Sequence, residues 1–252
     1  MGLRAALVPA GDSERVAPDR LADQVYERLK DDLWEFRLLP GERFTEADVA
    51  QRTGASRTPV RQALYRLQRE GFVDVRLRSG WQVRPFDFQR FEALYDVRIV
   101  LELAAVERLC TRDRDEAAAA LAPLRADWLA PPARRLRDGG LVARMDEEFH
   151  CGLVAAAGNA EMALIHRDVT EKIRIVRRLD FTKAPRIDAT YDEHAAILRA
   201  VLAGRGEQAR WMLKSHIGIS KAEVRKITLH RLYSAREAAG GAWPAPRQSM
   251  LR

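Results

Sequence analysis

Cysteine is scarce. Cys110 and Cys151 are the only two in 252 residues, and they stand far apart in apolar surroundings. That spacing fits neither a thiolate metal motif nor a disulfide framework, so a reducing cytosol is the simpler setting. Long hydrophobic runs are missing too: none reaches the 18 residues or so that a membrane helix needs. The apolar stretch from Ala5 to Ala10 is short and interrupted by Pro9, which a secretory signal is not. Ala6 occupies the place where N-myristoylation needs Ser or Thr. Eleven prolines and fifteen glycines are too few for a collagen-like or linker-dominated chain. The tryptophans, Trp34, Trp81, Trp128, Trp211 and Trp243, are scattered, with no cofactor-box spacing. These exclusions predict a cytoplasmic protein with no membrane partner. What is present is ordinary globular composition, 47% hydrophobic and 31% charged, at a length that suits one large domain or two modest ones.

Residues 1–19 carry no sustained period and read as a flexible lead-in. From Leu21 the apolar positions Leu21, Val25, Leu29, Leu33 and Phe36 recur at helical spacing, and Pro40-Gly41 is expected to end that helix. A short second helix follows, capped by Thr45, with Ala47, Val49 and Ala50 as its apolar side. Thr53-Gly54-Ala55 breaks the chain. Ser56 then stands as N-cap of a third helix, which tolerates Pro59 in its first turn and ends at Glu70-Gly71. The period then changes to that of strands: Phe72, Val73, Val75 and Leu77, a turn at Ser79-Gly80, then Trp81 and Val83 predict a two-stranded hairpin. Three short helices and a terminal hairpin outline a winged helix-turn-helix over residues 20–87. After residue 88 every pattern is helical. A broad apolar face runs from Phe91 through Leu94, Val97, Val100 and Leu101 to Ala104. A helix over 117–129 and segments near 141–153, 161–179, 187–202 and 206–230 follow, which suits an all-α antiparallel bundle over 88–232. Residues 233–252 read as a mobile tail. The fold expected is therefore mainly α.

Charge is unevenly placed. Residues 20–51 hold five basic and eight acidic side chains, a net of −3, whereas residues 52–84 hold eight arginines against Glu70 and Asp74, a net of +6. Arg57 and Arg61, four apart, project from one side of the third helix near its N-terminal end. Such an end in a major groove brings arginines to base edges, where a guanidinium bonds guanine O6 and N7 together. The alternative is a merely solvated face. The run Gly54-Ala55-Ser56-Arg57-Thr58-Pro59-Val60-Arg61-Gln62-Ala63-Leu64, preceded by Pro40-Gly41 and Thr45-Glu46 and followed by Leu67 and Glu70-Gly71, resembles the GntR superfamily of bacterial transcription regulators. The resemblance implies that Ser56, Arg57, Thr58 and Arg61 contact an operator in double-stranded DNA and that Gly80 lets the wing tip approach the minor groove. A well-known member has arginine where this chain has Ala47, so operator preference does not carry over.

Three histidines are placed unusually. Asp146 and His150 are four apart on one helix beside Val142, Phe149 and Leu153. His194 shares a stripe with Ile197, Leu198 and Val201, and His216 one with Ala209, Met212 and Ile219. Buried rings must find partners, and three rings with a carboxylate can do so around a divalent transition metal such as zinc, nickel, iron, manganese or cobalt. By spacing alone, hydrogen-bonded core histidines are the commoner case. Val97-Arg98 with Leu101-Glu102, Asp146 to His150, Ala157-Gly158-Asn159, Glu193-His194 and His216 are, however, similar to the FCD effector domain of the FadR-type branch. That resemblance implies metal ligands at Asp146, His150, His194 and His216 and a small carboxylate held beside the metal. Arg98 is then the first choice for an effector contact, or else forms a buried pair with Glu102. Asn159 either bonds the effector or caps a helix. Arg174, Arg177 and Arg178 read as a solvated face, and His166 and His230 receive no role.

These readings converge on a sequence-specific DNA-binding regulator, a homodimer by family resemblance, whose operator affinity responds to a small organic acid. The competing class is a metal-dependent hydrolase fused to a DNA-binding module. Glu147 or Glu148 would have to serve as its base, yet helical spacing turns both away from the Asp146/His150 side.

Overall fold

In the computed structural model the described residues are 18–76, 80–180, 184–224, 226–227, 229–238 and 240. They divide into one unit of residues 18–32 with 40–84 and a second of 33–39 with 85–240.

In the first unit, helix α1 (Pro18–Trp34) buries Val25, Tyr26, Leu29 and Leu33 as its period requires. It stops well before Pro40. Phe36, in the segment 33–39 that belongs to the second unit, takes a left-handed φ of 58°, which ends the helix without help from the proline, and its ring is buried within that unit in a cluster with Leu39, Leu179 and Leu232. Such backbone strain in a bulky residue persists only where packing holds it. Helix α2 (Glu46–Thr53) opens on a capping box: the Thr45 hydroxyl accepts from Asp48 N at 3.2 Å, and Thr45 N donates to the Asp48 carboxylate at 2.8 Å. Of the expected apolar side Val49 is buried, while Ala47 is exposed. Helix α3 (Arg57–Glu70) buries Pro59, Val60, Ala63, Leu64 and Leu67 and stops at Gly71, whose φ is 85°. Ser56 has the extended backbone of an N-cap, but its side chain makes no capping hydrogen bond.

The wing has three strands rather than two. β2 (Val73–Arg76) and β3 (Gly80–Val83) pair antiparallel, and β1 (Arg43–Phe44) adds on the far edge of β3, with Phe44 opposite Trp81. A two-residue strand has no period to read, which is why the sequence pattern misses it. The expected hairpin residues Leu77 and Ser79 lie outside the described residues, as do most of the lead-in over 1–19 and the segment from 241 to 252.

In the second unit, Asp87 caps α4 (Phe88–Thr111), accepting from Arg90 N at 3.0 Å. The buried stripe of α4 is Tyr95, Arg98, Glu102, Ala105, Val106 and Leu109; Val97 and Val100, expected on the apolar face, are exposed. The helix expected over 117–129 is two, α5 (Arg114–Ala120) and α6 (Ala122–Trp128), because Pro123 has no N–H to give to the preceding turn. A 3-10 turn at Pro132–Arg134 leads to α7 (Gly139–Ala156), α8 (Ala160–Asp180), α9 (Ala184–Leu202) and α10 (Gly206–Val224). The expected 206–230 segment ends early, and α11 (Leu229–Ala238) follows, so the first residues of the expected tail are helical. Helix α4 packs on α7, α8 and α10, and α9 on α10. Trp128, Phe149, Leu153, Tyr191 and Ile217 lie in their common core. Among the described residues no helix is long and apolar enough to cross a membrane.

Candidate functional site

The core of the second unit contains a polar centre. Asp146 and His150 come from α7, His194 from α9 and His216 from α10, all buried, and one ligand atom from each lies within 4.8 Å of all the others. Helical spacing puts Asp146 and His150 on the α7 face that also carries Val142, Phe149 and Leu153. His216 arrives on the stripe Ala209, Leu213, His216, Ile217, Ser220 and Val224; Ile219, expected beside it, faces out. His150 Nε2 and His194 Nε2 each stand 3.2 Å from His216 Nε2, and Asp146 Oδ1 lies 3.3 Å from His194 Nε2 and 3.7 Å from His150 Nε2.

The partners behind these rings decide what the centre can hold. Glu102 Oε2 is 2.6 Å from His150 Nδ1, and Glu193 Oε2 is 2.5 Å from His216 Nδ1. Burial alone would raise the pKa of Glu102, but the Arg98 charge and the His150 and His166 contacts hold it well below the usual carboxylate range. Asp146 is lowered in the same way, its burial outweighed by Arg177 and the histidines. Burial, and after it the Arg98 charge, pushes His150 down to about 4; burial and then His216 lower His194 strongly. These two rings are therefore neutral near pH 7. An ionised carboxylate only accepts, so His150 and His216 both carry their proton on Nδ1. The Nε2 atoms of His150 and His216, on the sides away from those carboxylates, face each other at 3.2 Å and converge with His194 Nε2 and Asp146 Oδ1. Nδ1 of His194 has no hydrogen-bond partner among the described residues; its ring is held instead by stacking on Phe149 at 3.7 Å and edge contact with Trp128 at 4.2 Å.

A cation is the partner that four such converging atoms would share. Four donors about 2.0–2.1 Å from a tetrahedral ion stand roughly 3.3 Å apart; the four separations given above are 3.2–3.7 Å, and all the donor atoms lie within 4.8 Å of one another. Nitrogen and oxygen donors without sulfur suit a first-row divalent metal, and carboxylates behind the histidines are the usual outer support of such ligands. The residues present fit the ion.

Around the centre, Arg98 is buried and gives its Nε to Glu102 Oε1 at 2.6 Å, so the pairing left open by the sequence is formed. Its Nη2 is buried with no hydrogen-bond partner among the described residues. Asn159 Oδ1 accepts from Met162 N at 3.1 Å and thus caps α8. Three residues were passed over or misread by sequence reasoning. His166, given no role, is buried and donates from Nε2 to Glu102 Oε1 at 3.0 Å. Arg177, expected in solvent, is buried and pairs with Asp146. Glu102 itself was seen only as a partner for Arg98. The signal was available for two of them: His166, Thr170, Ile173 and Arg177 recur at spacings of four, three and four and are all buried. Arg174 pairs with Glu147, and Arg178 with Glu35 at 2.7 Å. The side chain of His230 lies outside the described residues. A groove of about 160 Å³ between α9 and α10, walled by Ile197, Trp211 and Met212, reaches the outer side of Glu193 and His216.

In the first unit, Ser56, Arg57, Thr58 and Arg61 are exposed together at the N-terminal end of α3. Arg61 lends Nε and Nη2 to the two carboxylate oxygens of Glu46, each at 3.0 Å. Gly80 has φ +83°, and a Cβ there would stand 2.6 Å from the Phe44 carbonyl oxygen. The close approach of β1 is thus an internal reason for glycine at this position.

Comparison with known proteins agrees with this geometry. Residues 21–83 match the family "Bacterial regulatory proteins, gntR family", and residues 93–218 match the FCD domain. The Nta operon transcriptional regulator of Aminobacter aminovorans is 30% identical over 182 residues, 72% of this chain and 84% of that protein. A GntR-type transcriptional regulator from Rhodococcus sp. RHA1 superposes with a TM-score of 0.62 at 25% identity, covering 82% of this chain and 98% of that one. McbR/YncC of E. coli shares the fold, with a TM-score of 0.64 at 20% identity over 82% of this chain and 97% of its own. The families matched are those of transcription regulators and not of enzymes. The chain belongs to the GntR family, as a DNA-binding transcriptional regulator with a winged helix-turn-helix followed by a helical FCD domain.

Proposed function

We propose that this regulator senses a small organic acid held beside a divalent transition-metal ion, and that the acid sets how tightly a homodimer grips its operator. One observation carries the reading: four buried ligand atoms from Asp146, His150, His194 and His216 converge, with the His150 and His216 Nε2 atoms 3.2 Å apart and each of those two rings fixed from behind by a carboxylate. Asp146, His150, His194 and His216 hold the ion, which is zinc, nickel, iron, manganese or cobalt by donor chemistry. When bound, the ion would supply positive charge that draws a carboxylate to this buried polar centre. Glu102 and Glu193 keep the protons on the outer nitrogens, and Arg177 holds Asp146. The unpartnered Nη2 of Arg98 offers a second donor to the acid, fixed in place by Glu102. Asn159 is a cap first and a ligand contact only through its amide nitrogen.

On the DNA side, Ser56, Arg57, Thr58 and Arg61 form the reading end of α3, and Gly80 shapes the wing. Two such helices reading half-sites one helical turn apart call for two copies of the chain, working in the cytoplasm where the DNA is. An acid that binds one arrangement of the paired chains better than another shifts the population between them, and with it operator affinity.

The test is metal analysis of the purified chain, paired with a thermal-shift screen of small carboxylates with and without metal. About one first-row metal per chain is expected, lost in His150→Ala, together with acids that raise the melting point only in the metal-loaded protein. A chain free of metal, whose melting point is unmoved by zinc, nickel or manganese, would falsify the reading.

A further inference from the structure

Arg61 stands at the exposed reading end of α3, yet its guanidinium is already engaged by the Glu46 carboxylate through Nε and Nη2. Exposed ion pairs contribute little to stability, so the consequence of this one lies in placement. A guanidinium has five N–H hydrogens on two usable edges. Glu46 occupies the Nε–Nη2 edge and leaves the Nη1–Nη2 fork, which is the edge that meets guanine O6 and N7 together. Glu46 is itself held in place. It is the first residue of α2 and it receives Arg61 from α3, and the Trp81 indole of β3 adds to Arg61 in holding its carboxyl below the ordinary pKa. Trp81 is buried and meets the Tyr65 ring edge-on at 5.5 Å, one turn beyond Arg61 on α3. A carboxylate is also a strange group to find on a surface meant for phosphates. Set against Arg61, Arg57 and the rest of the basic stretch from 52 to 84, it weakens contact with any DNA on which Arg61 cannot find its base.

We propose that Glu46 is a specificity-setting residue of the DNA-reading surface, bracing Arg61 so that its free fork is presented to one guanine in each half-site. The inference rests on Arg61 reading DNA, as proposed above. Bracing removes rotamer freedom before DNA arrives, so a matched base pair meets an ordered fork. On an unmatched sequence Arg61 must leave Glu46 to reach a phosphate, and the carboxylate is then stranded beside a polyanion. Both effects widen the gap between cognate and random DNA.

The experiment selects duplexes with a randomised centre using the full chain, its Arg61→Ala variant and its Glu46→Gln variant, and sequences what is retained. Thermal unfolding of each variant is followed in parallel, with Glu46→Ala replacing Glu46→Gln if the latter lowers the melting point. The wild type should recover a motif with a guanine preference at one base pair per half-site, and Arg61→Ala should lose that preference. Glu46→Gln should lose at least about fivefold in discrimination at the same base pair, with the other positions unchanged. Its binding to a random duplex should also grow steeper in salt by about one unit of log–log slope, as a released Arg61 finds a phosphate. If Glu46→Gln keeps the guanine preference, flattens every position alike, or binds the wild-type motif more tightly, bracing is wrong while Arg61 still reads. If Arg61→Ala keeps the whole motif, the reading role of Arg61 fails first and the inference with it.

Discussion

Replacing Glu102 with Gln tests the physical reasoning about the buried centre most severely, because this one carboxylate serves three donors. It is fully buried and accepts from Arg98 Nε at 2.6 Å, His150 Nδ1 at 2.6 Å and His166 Nε2 at 3.0 Å. Gln keeps the shape and one acceptor but removes the charge, so a buried guanidinium at 1% exposure is left uncompensated. Stranding one partner of a buried pair costs about 3–5 kcal/mol, or roughly 6–20 °C of melting temperature for a unit of this size. The amide NH2 must also face either Arg98, His166 or His150. If it faces His150, the ring moves its proton to Nε2 and points an N–H into the donor centre, and metal affinity falls by about 10–100-fold, the range expected on losing such an outer partner. Adding Arg98→Met to Glu102→Gln supplies the sharpest check, since it removes the stranded charge. The double variant should melt higher than Glu102→Gln alone, whereas two unrelated lesions would simply add. Melting curves of the four proteins with metal titrations settle it. A Glu102→Gln chain that melts within about 2 °C of wild type, or one made worse by Arg98→Met, refutes the account.

Gly80→Ala should destabilise the first unit by about 1–3 kcal/mol, from left-handed backbone and the Phe44 carbonyl 2.6 Å from the new Cβ; chemical denaturation that shows no change would mean the wing relaxes freely. Asn159→Ala should cost about 0.5–2 kcal/mol through loss of the α8 cap, while Asn159→Asp, an equally good cap, should cost little; equal losses in the two variants would rule capping out as the cause. Tyr26 is held above its ordinary value near 10, first by burial and then by its hydrogen bond to Glu70 at 2.6 Å. Because its folded pKa exceeds the unfolded one, its contribution is complete below about pH 10 and is lost as pH rises beyond that. Tyrosinate absorbance should therefore show one tyrosine that ionises only as the first unit unfolds, and a fully titrating folded chain would contradict this.

The winged helix was legible because each of its elements announces itself locally: a cap at Thr45, a left-handed glycine at Gly54 and Gly71, and a switch from helical to alternating period after Gly71. What escaped had no local pattern. β1 is two residues long and exists only because β3 offers it an edge. The end of α1 at Phe36 depends on a ring buried among residues far along the chain. The break between α5 and α6 was legible in Pro123 and was overlooked, since alanines on either side favour a continuous helix.

The site shows the same division more sharply. Asp146, His150 and His194 were visible because each interrupts an apolar stripe at helical spacing, where a polar group requires a reason. Helix α4 hid its half of the site by the opposite route. Its buried stripe is Tyr95, Arg98, Glu102, Ala105 and Leu109, while Val97 and Val100 face out. Hydropathy alone therefore turns the helix away from Arg98 and Glu102, and their buried pairing stood only as the alternative to an effector contact. Two opposite charges four residues apart in a helix are by spacing alone as compatible with a surface pair as with a buried one. Their burial is intelligible only once His150 and His166 arrive from other helices to share the carboxylate. Charges are tolerated in a core when their hydrogen-bonding positions are taken, and here Glu102 accepts from three donors while Arg98 has one nitrogen, Nη2, without a partner among the described residues. A purely structural pair would gain by filling that last position from within the chain. The organic acid proposed above would fill that position on Arg98.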